Sequence, residues 1–374
     1  MDLVDALHLR EPWETLKARR IPRHRHSYWY YFGGLALFFL AIQIVTGVLL
    51  LCYYRPVPEA AHQSVQMIVT KVPFGTVIRS IHAWASNALI ATVVIHLFSV
   101  FFMKSYQRPR ATLWVTGIVL LLLMLGFGFT GYLLPWDQTS YFATMIGTEL
   151  PREIPIFGDW VAGWLRGSNA VTGATLLRLY ALHVAVLPLL AFGFVITHVA
   201  ITTLFGRSVP NRATITGETK FLPDYLMGET IVWLIGLAVL LALAVYFPWP
   251  LSTAYDLAKP SEPPAGLHPA WYFMFLYQTL KYLPNWATVS LYTVVLLFWT
   301  LVPWLDRKSS RGKRSPLFTW IGIIFIIGMA LLTALAYFSV IQEKAGNKTE
   351  QTRLGYNRPL ITNKENFYVN SIPF

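Results

Sequence analysis

Four histidines lie inside long apolar runs, and their spacing is the tightest constraint on this chain. His82 and His96 stand 14 residues apart in one run; His183 and His198 stand 15 apart in another. On helices with about 1.5 Å rise and 100° per residue, each pair is separated by roughly 21–22 Å along the axis and by about 40° or 60° around it. Each pair therefore shares one broad helix face at two depths. An imidazole in a bilayer segment is costly and needs a partner. A single one is commonly satisfied by a hydrogen bond. Two matched pairs suit two redox centres stacked along a membrane normal, each gripped by one imidazole from each helix. Both helices run in the same direction, since one span lies between them. His82 therefore pairs with His183, and His96 with His198. Haem iron is a natural partner for such imidazoles.

The rest of the composition fits a membrane setting. The chain is 55% hydrophobic and 13% charged, with a mean hydropathy of +0.49. A soluble chain of this size carries about twice that share of charge. Apolar segments lie near 32–53, 80–103, 113–134, 178–204, 229–248, 289–305 and 316–338. The expected architecture is all-α: a polytopic membrane protein with seven transmembrane helices. Its parts are an N-terminal segment (1–30), a four-helix bundle holding the histidines (31–210), a three-helix C-terminal part (211–340) and a polar tail (341–374).

The net charge of +12 does not indicate nucleic acid, because the basic residues flank the apolar runs. The N-terminus and the loops at 104–110, 206–228 and 306–315 hold 17 Lys and Arg; the opposite loops hold 8. The positive-inside rule then puts the N-terminus on the negative, cytoplasmic side of an energised inner membrane. With seven spans, the tail lies on the positive side. The single cysteine, Cys52, excludes an intrachain disulfide and a cysteine-rich iron–sulfur site in this chain. The first 30 residues carry no apolar core of a cleavable leader. In the long 137–178 loop, the aromatic stretches 138–147 and 157–166 read as short helices at the membrane interface.

Glycines repeat the histidine spacing. Gly33 and Gly47 lie 14 apart in the first segment, and Gly117 and Gly131 lie 14 apart in the third. Glycine lets a bulky planar group approach a helix backbone, so the first and third helices are expected to cover haem edges while the second and fourth supply ligands. Arg79 and Arg178 lie near the first ligands His82 and His183, where cations suit two propionates.

The motifs Arg79-Ser80-Ile81-His82, His96, Gly131-Tyr132-Leu133-Leu134-Pro135-Trp136-Asp137-Gln138, Thr175-Leu176-Leu177-Arg178, His183, His198 and Pro269-Ala270-Trp271-Tyr272 together resemble cytochrome b of the cytochrome bc family. They run from about 22 to 340. The 15-residue spacing and Pro135-Trp136-Asp137-Gln138 resemble the chloroplast-type branch, with its separate three-helix subunit fused here. The eighth span of the mitochondrial type is not expected.

The resemblance implies a di-haem subunit with two bis-histidine haem b groups. It implies quinol oxidation on the positive side and quinone reduction on the negative side. One electron goes to a Rieske iron–sulfur partner, the other through the His82–His183 haem to the His96–His198 haem, and protons cross with the cycle. A c-type cytochrome subunit or other acceptor and a homodimeric complex are the expected partners. The quinol site is expected between Pro269–Tyr272 and the end of the third helix at Tyr132–Trp136.

Three departures from the family stand out. Ala270 replaces the glutamate of the usual Pro-Glu-Trp-Tyr, so the proton acceptor is sought in His268, Glu262 or Tyr272. Tyr31 stands where the chloroplast type has a cysteine that tethers an extra haem, leaving only an untethered third haem near Tyr31. Ser99 stands where many members have arginine, leaving Lys104, Arg108 or Arg110 for the negative-side propionates. On that side Glu229, with Asp224 near it, is the expected proton donor. Two other classes fit less well. A membrane-anchor cytochrome would not need the long positive-side loops, and a transporter with proton-relay histidines would show no b-type haem spectrum.

Overall fold

Seven helices of the computed structural model are long and apolar enough to cross a membrane. The structure describes residues 17–210, 213–258 and 262–353. The spans are Ser27–Leu51, Gly75–Phe102, Ala111–Tyr132, Gly173–Phe205, Phe221–Tyr246, Asn285–Ser309 and Pro316–Gly346. Their outward faces keep large apolar side chains exposed, among them Leu189, Phe192, Ile235 and Ile324. In a bilayer these face lipid.

The loops are structured by local chemistry. Helix Pro58–Lys71 begins with proline in its first turn, where the missing N–H costs nothing. It turns into the second span at Gly75; a Cβ there would lie 1.9 Å from the Ile68 carbonyl oxygen, so only glycine fits. Helix Gln138–Glu149 starts with a capping box between Asp137 and Ser140. Helix Gly158–Arg166 ends at Gly167, in the left-handed region at φ +74°. Both interfacial helices expected in the 137–178 loop are present. The amphipathic helix Pro58–Lys71 and the short helix Met274–Leu280 were not anticipated.

The fourth span is interrupted by a π-turn, Leu182–Val186, around His183. Pro188 explains it: a proline here removes the regular bond to the Val184 carbonyl and crowds that turn. A π-turn takes up one extra residue. The 15 residues from His183 to His198 thus do the work of the 14 between His82 and His96.

The fifth span packs onto the first two rather than standing apart from the four-helix bundle. Phe39, Ala85, Leu89 and Leu240 share one core, and Phe38 stacks on Trp233. The sixth and seventh spans close a second core around Phe101, Trp114, Trp299 and Phe318. A two-stranded antiparallel ribbon joins Arg20–Arg23 to Gly217–Lys220, tying the N-terminal segment to the linker before the fifth span.

The last helix runs Pro316–Arg353, well past the expected end of the seventh span. Its later turns pack on the short helix Met274–Leu280 and the residue after it: Lys281 bonds to Ser339 and pairs with Glu343, and Met274, Ala336 and Val340 bury one another. A polar sequence is helical here because it packs on a neighbour, so the expected start of the tail at 341 is corrected. The tail beyond 353 and the N-terminal residues before 17 lie outside the described residues.

Candidate functional site

The structure brings His82 and His183 together at the end where the second and fourth spans begin. There the rings of His82 and His183 face each other at 6.4 Å between centroids, with 71° between planes. Two metal–nitrogen bonds of about 2 Å plus the ring half-widths account for a separation near this value. The rings are too far apart for direct contact and well placed for a shared metal.

The tautomer needed for ligation is built in. Thr46 donates its hydroxyl hydrogen to the Ile42 carbonyl at 2.7 Å, and its oxygen lies 2.9 Å from His82 Nδ1. A hydroxyl has one hydrogen, so the imidazole must donate: Nδ1 carries the proton and Nε2 keeps a free lone pair. Thr130 does the same for His183, donating to Gly126 at 2.8 Å and standing 3.1 Å from Nδ1. Thr116 repeats it for His198, donating to Leu113 at 3.0 Å and standing 2.9 Å from Nδ1. Such outer bonds fix ring orientation and raise ligand basicity. The fourth ligand differs: His96 Nδ1 is buried without a hydrogen-bond partner.

Each of the four spaced glycines backs one of the four histidines. A Cβ on Gly33 would meet His96 Cε1 at 3.4 Å, on Gly47 His82 at 3.3 Å, on Gly117 His198 at 3.4 Å, and on Gly131 His183 at 2.6 Å. The glycines were expected to clear space for haem edges. The group they admit against the helix backbone is the ligand imidazole, whose ring edge fills the space a Cβ would occupy. The four imidazoles, the tautomers held at His82, His183 and His198, and the glycines behind all four rings fit haem as a ligand group.

Threonine was the signal sequence reading missed. Thr46-Gly47, Thr116-Gly117 and Thr130-Gly131 form a repeated dipeptide, and where it lapses, at Phe32-Gly33, the matching imidazole lacks its acceptor. Gln43 was missed too; its amide donates to the His82 carbonyl at 2.6 Å.

The cations expected beside propionates have other uses. The Arg79 guanidinium donates to the Trp249 and Pro250 carbonyls at 2.7 and 2.9 Å, and Arg178 donates to the Gly163 and Trp164 carbonyls. Both tie loops to the spans that carry the ligands. The Lys104 ammonium, expected at the other end, lies 4.6 Å over the Phe101 ring and is buried without a hydrogen-bond partner. Burial lowers its pKa, opposed by Asp306. That carboxylate accepts a bond from Tyr106 at 2.6 Å. Arg108 is exposed. Arg110 donates to Phe205 at the end of the fourth span, and Arg207, which sequence reading passed over, lies over the Tyr30 and Tyr225 rings.

At the end of the bundle near His82 and His183, the third span meets the Pro269–Tyr272 segment. The Tyr272 hydroxyl lies 2.5 Å from where a Gly128 Cβ would be. Tyr132, half-buried, follows Gly128 by one turn on the same face. Trp271 donates its indole N–H to Asn87 at 2.9 Å, five residues beyond His82. Ala270 packs with Trp271 and Phe273 against that core. The two long loops are joined next to it: Gln138 donates to Thr253, Tyr255 donates to Trp136, and the Tyr141 and Tyr255 rings stack at 3.6 Å.

Two of the expected proton acceptors turn elsewhere. His268 donates from Nδ1 to the Pro269 carbonyl at 2.9 Å and sets its ring edge-on to Tyr337 of the seventh span. Glu262 is exposed in its loop. Only Tyr272 of the three expected residues rests on the third span.

At the start of the fifth span, Glu229 and Asp224 part ways. Asp224 is exposed. Glu229 is 4% exposed, and its carboxylate fills the space beside Gly34, where a Cβ would lie 1.7 Å from Oε1. Tyr31 stacks on Tyr225 at 5.1 Å, and its hydroxyl lies 2.6 Å from where a Gly228 Cβ would be. Tyr31 and Tyr225 stack beside Gly228, and the Glu229 carboxylate packs against Gly34.

Comparison with known proteins adds three findings. Residues 18–206 match the family model described as Cytochrome b/b6/petB, and 257–346 match Cytochrome b(C-terminal)/b6/petD. The chain is 44% identical over 332 residues, 87% of this chain and 77% of the relative, to the "Cytochrome bc complex cytochrome b subunit" of Chlorobaculum thiosulfatiphilum. It is 42% identical over 197 residues, 53% of this chain and 92% of the relative, to "Cytochrome b6" of Heliobacterium mobile. A solved structure titled "Hyperthermophilic respiratory Complex III" superposes with a TM-score of 0.78 at 28% identity, covering 90% of this chain and 91% of that one.

Proposed function

The chain belongs to the cytochrome b/b6 family, and from that premise we propose that it is the di-haem, quinol-oxidising subunit of a bc-type complex, with one haem b held by His82 and His183 and the other by His96 and His198. Membership of the family implies haem b binding and electron transfer in a multi-pass membrane protein. The finer reading rests above all on one observation: His82 and His183 face each other at 6.4 Å with both Nδ1 atoms engaged by threonine.

Haem held by these histidines would supply one-electron redox chemistry, tuned by the imidazoles and their hydrogen bonds. The chain's residues do the rest. Thr46, Thr116 and Thr130 hold Nδ1–H and leave Nε2 free to ligate. Gly33, Gly47, Gly117 and Gly131 let the ligand rings stand against neighbouring helices.

Quinol gives up two electrons and two protons on the positive side. Pro269, Trp271, Tyr272 and Tyr132 supply an apolar wall with two hydroxyls and one indole N–H, as such a ligand needs. Trp271 is held in that wall by Asn87. Alanine at position 270 accepts no proton, and the orientations of His268 and Glu262 favour water or a partner's histidine as acceptor, with Tyr272 the hydroxyl nearest the reaction.

On the negative side a quinone must gain two electrons and two protons. The buried Glu229 is the group suited to hold one of those protons, rather than the exposed Asp224. Electron transfer between the two sides, coupled to proton translocation, completes the function. A Rieske iron–sulfur protein and a c-type cytochrome or other acceptor are the proposed partners, within a homodimeric complex in an energy-transducing membrane.

The decisive test replaces His96 with alanine. One of two b-type spectral components should vanish from the reduced-minus-oxidised spectrum while the other stays. Two normal haems in that variant would overturn the ligand assignment.

A further inference from the structure

One stripe near the end of the last helix turns to the segment that carries Pro269–Tyr272. Tyr337, Val340 and Lys344 recur at the i, i+3, i+7 spacing of one helix face, and Ala336 and Glu343 flank them. Three consecutive residues just before Pro269 are held by this stripe. The Lys344 methylenes lie on the Gly266 backbone: a Cβ at Gly266, which has φ +68°, would stand 2.6 Å from Lys344 Cγ. The Leu267 carbonyl accepts from the Tyr277 hydroxyl at 3.3 Å, and Tyr277 packs on Met274, Ala336 and Val340. The His268 ring stands edge-on to Tyr337 at 6.0 Å.

One cation ties these contacts together. Lys281 follows the short helix Met274–Leu280. Its ammonium donates to Ser339 Oγ at 2.8 Å, pairs with Glu343 Oε1 at 3.3 Å and lies 4.6 Å over the Tyr277 ring. The Lys281 side chain is 12% exposed. A fully solvated ion pair contributes little. A sheltered ammonium with two oxygens and a ring face is held in place. It joins the last helix to Tyr277 and to the helix that continues directly from Trp271–Phe273.

The other side of the segment is fixed too. Leu267 is buried with Trp136 and Tyr141, and Trp271 donates to Asn87. The wall therefore stands between the bundle core and the last helix. We propose that the last helix is the outer clamp of this wall and that Lys281 is its positioning residue, setting where Pro269–Tyr272 stands against quinol. This rests on the quinol site proposed above. Lys281 acts through Tyr277, Leu267 and the helix Met274–Leu280.

The test compares Lys281→Met and Lys281→Arg with the wild type in the intact purified complex. Methionine keeps an unbranched stem and removes the charge; arginine keeps the charge. Hydrogen–deuterium exchange of the amides from Gly266 to Phe273 reads the clamp. Lys281→Met should exchange there roughly tenfold faster, the scale of one charge-assisted bond lost. Lys281→Arg should exchange as the wild type does. Initial rates of haem reduction by duroquinol read the consequence. In Lys281→Met the KM should rise about tenfold while kcat stays, as when a group that only holds the bound quinol is displaced. Lys281→Arg should restore the KM. Haem spectra report whether each variant is folded, and if Lys281→Met is not, Glu343→Gln takes its place. Unchanged exchange would overturn the clamp and leave the quinol site as proposed. Faster exchange with an unchanged KM would overturn the positioning role, and with it the placing of quinol at Pro269–Tyr272.

Discussion

Thr130 Oγ1 stands 3.1 Å from His183 Nδ1 while giving its own hydrogen to the Gly126 carbonyl. That pair of bonds fixes the proton on Nδ1 and leaves Nε2 as the ligand atom. The same device recurs at Thr46 and Thr116, and it is missing at His96. The asymmetry sets His96 apart from the other three histidines in its outer bonds.

Replacing Thr130 or Thr46 with valine removes the acceptor and leaves a buried N–H unpaired. Losing such an outer bond commonly costs about 10–100-fold in metal affinity or activity. The expected outcome is a lower haem content or a shifted midpoint potential at the His82–His183 site, with serine at the same position restoring both. Redox titration of the purified protein checks it. Unchanged potentials and haem content in both valine variants would show that the threonines only fill space.

Glycine-to-alanine variants should rank by clearance. Gly131→Ala puts a Cβ 2.6 Å from His183 Cε1, against 3.3–3.4 Å at Gly33, Gly47 and Gly117. Overpacking of this kind costs about 1–3 kcal/mol. Gly131→Ala should therefore lose the most haem in a pyridine haemochrome assay, and an equal effect at all four positions would contradict the ranking.

On the negative side, Glu229→Gln should slow reoxidation of the His96–His198 haem by about 10²-fold while quinol oxidation proceeds. Gly34→Ala should reproduce part of this, because its Cβ would occupy the space of the Glu229 carboxylate. Flash-induced haem kinetics measure both. Normal reoxidation in Glu229→Gln would leave the carboxylate a packing role only.

For the positive side, His268→Ala and Glu262→Gln should turn over quinol at the wild-type rate across pH 6–8, the range in which histidine changes charge. A steady-state assay decides it, and a rate loss of about 10²-fold in either would make that residue the proton acceptor after all. Ala270→Glu tests the reverse: faster turnover would show that the absent carboxylate limits the rate.

The seven spans and the meeting of His82 with His183 were legible in the sequence. Period and hydropathy are local properties, and a histidine in an apolar run has few ways to be satisfied. The glycine repeat was legible as spacing, although what it admits was not. The threonine–glycine dipeptide was present and unread, because a threonine in a helix carries no sign of what faces it. Tertiary structure alone decided the rest. Arg79 reaches the Trp249 carbonyl, 170 positions along the chain, and His268 turns to Tyr337, 69 positions later. The polar stretch after 338 stays helical because Lys281 and Met274 give it something to pack on. A side chain's destination depends on which distant segment arrives beside it. That arrival is set by packing of the whole bundle, which no local period records.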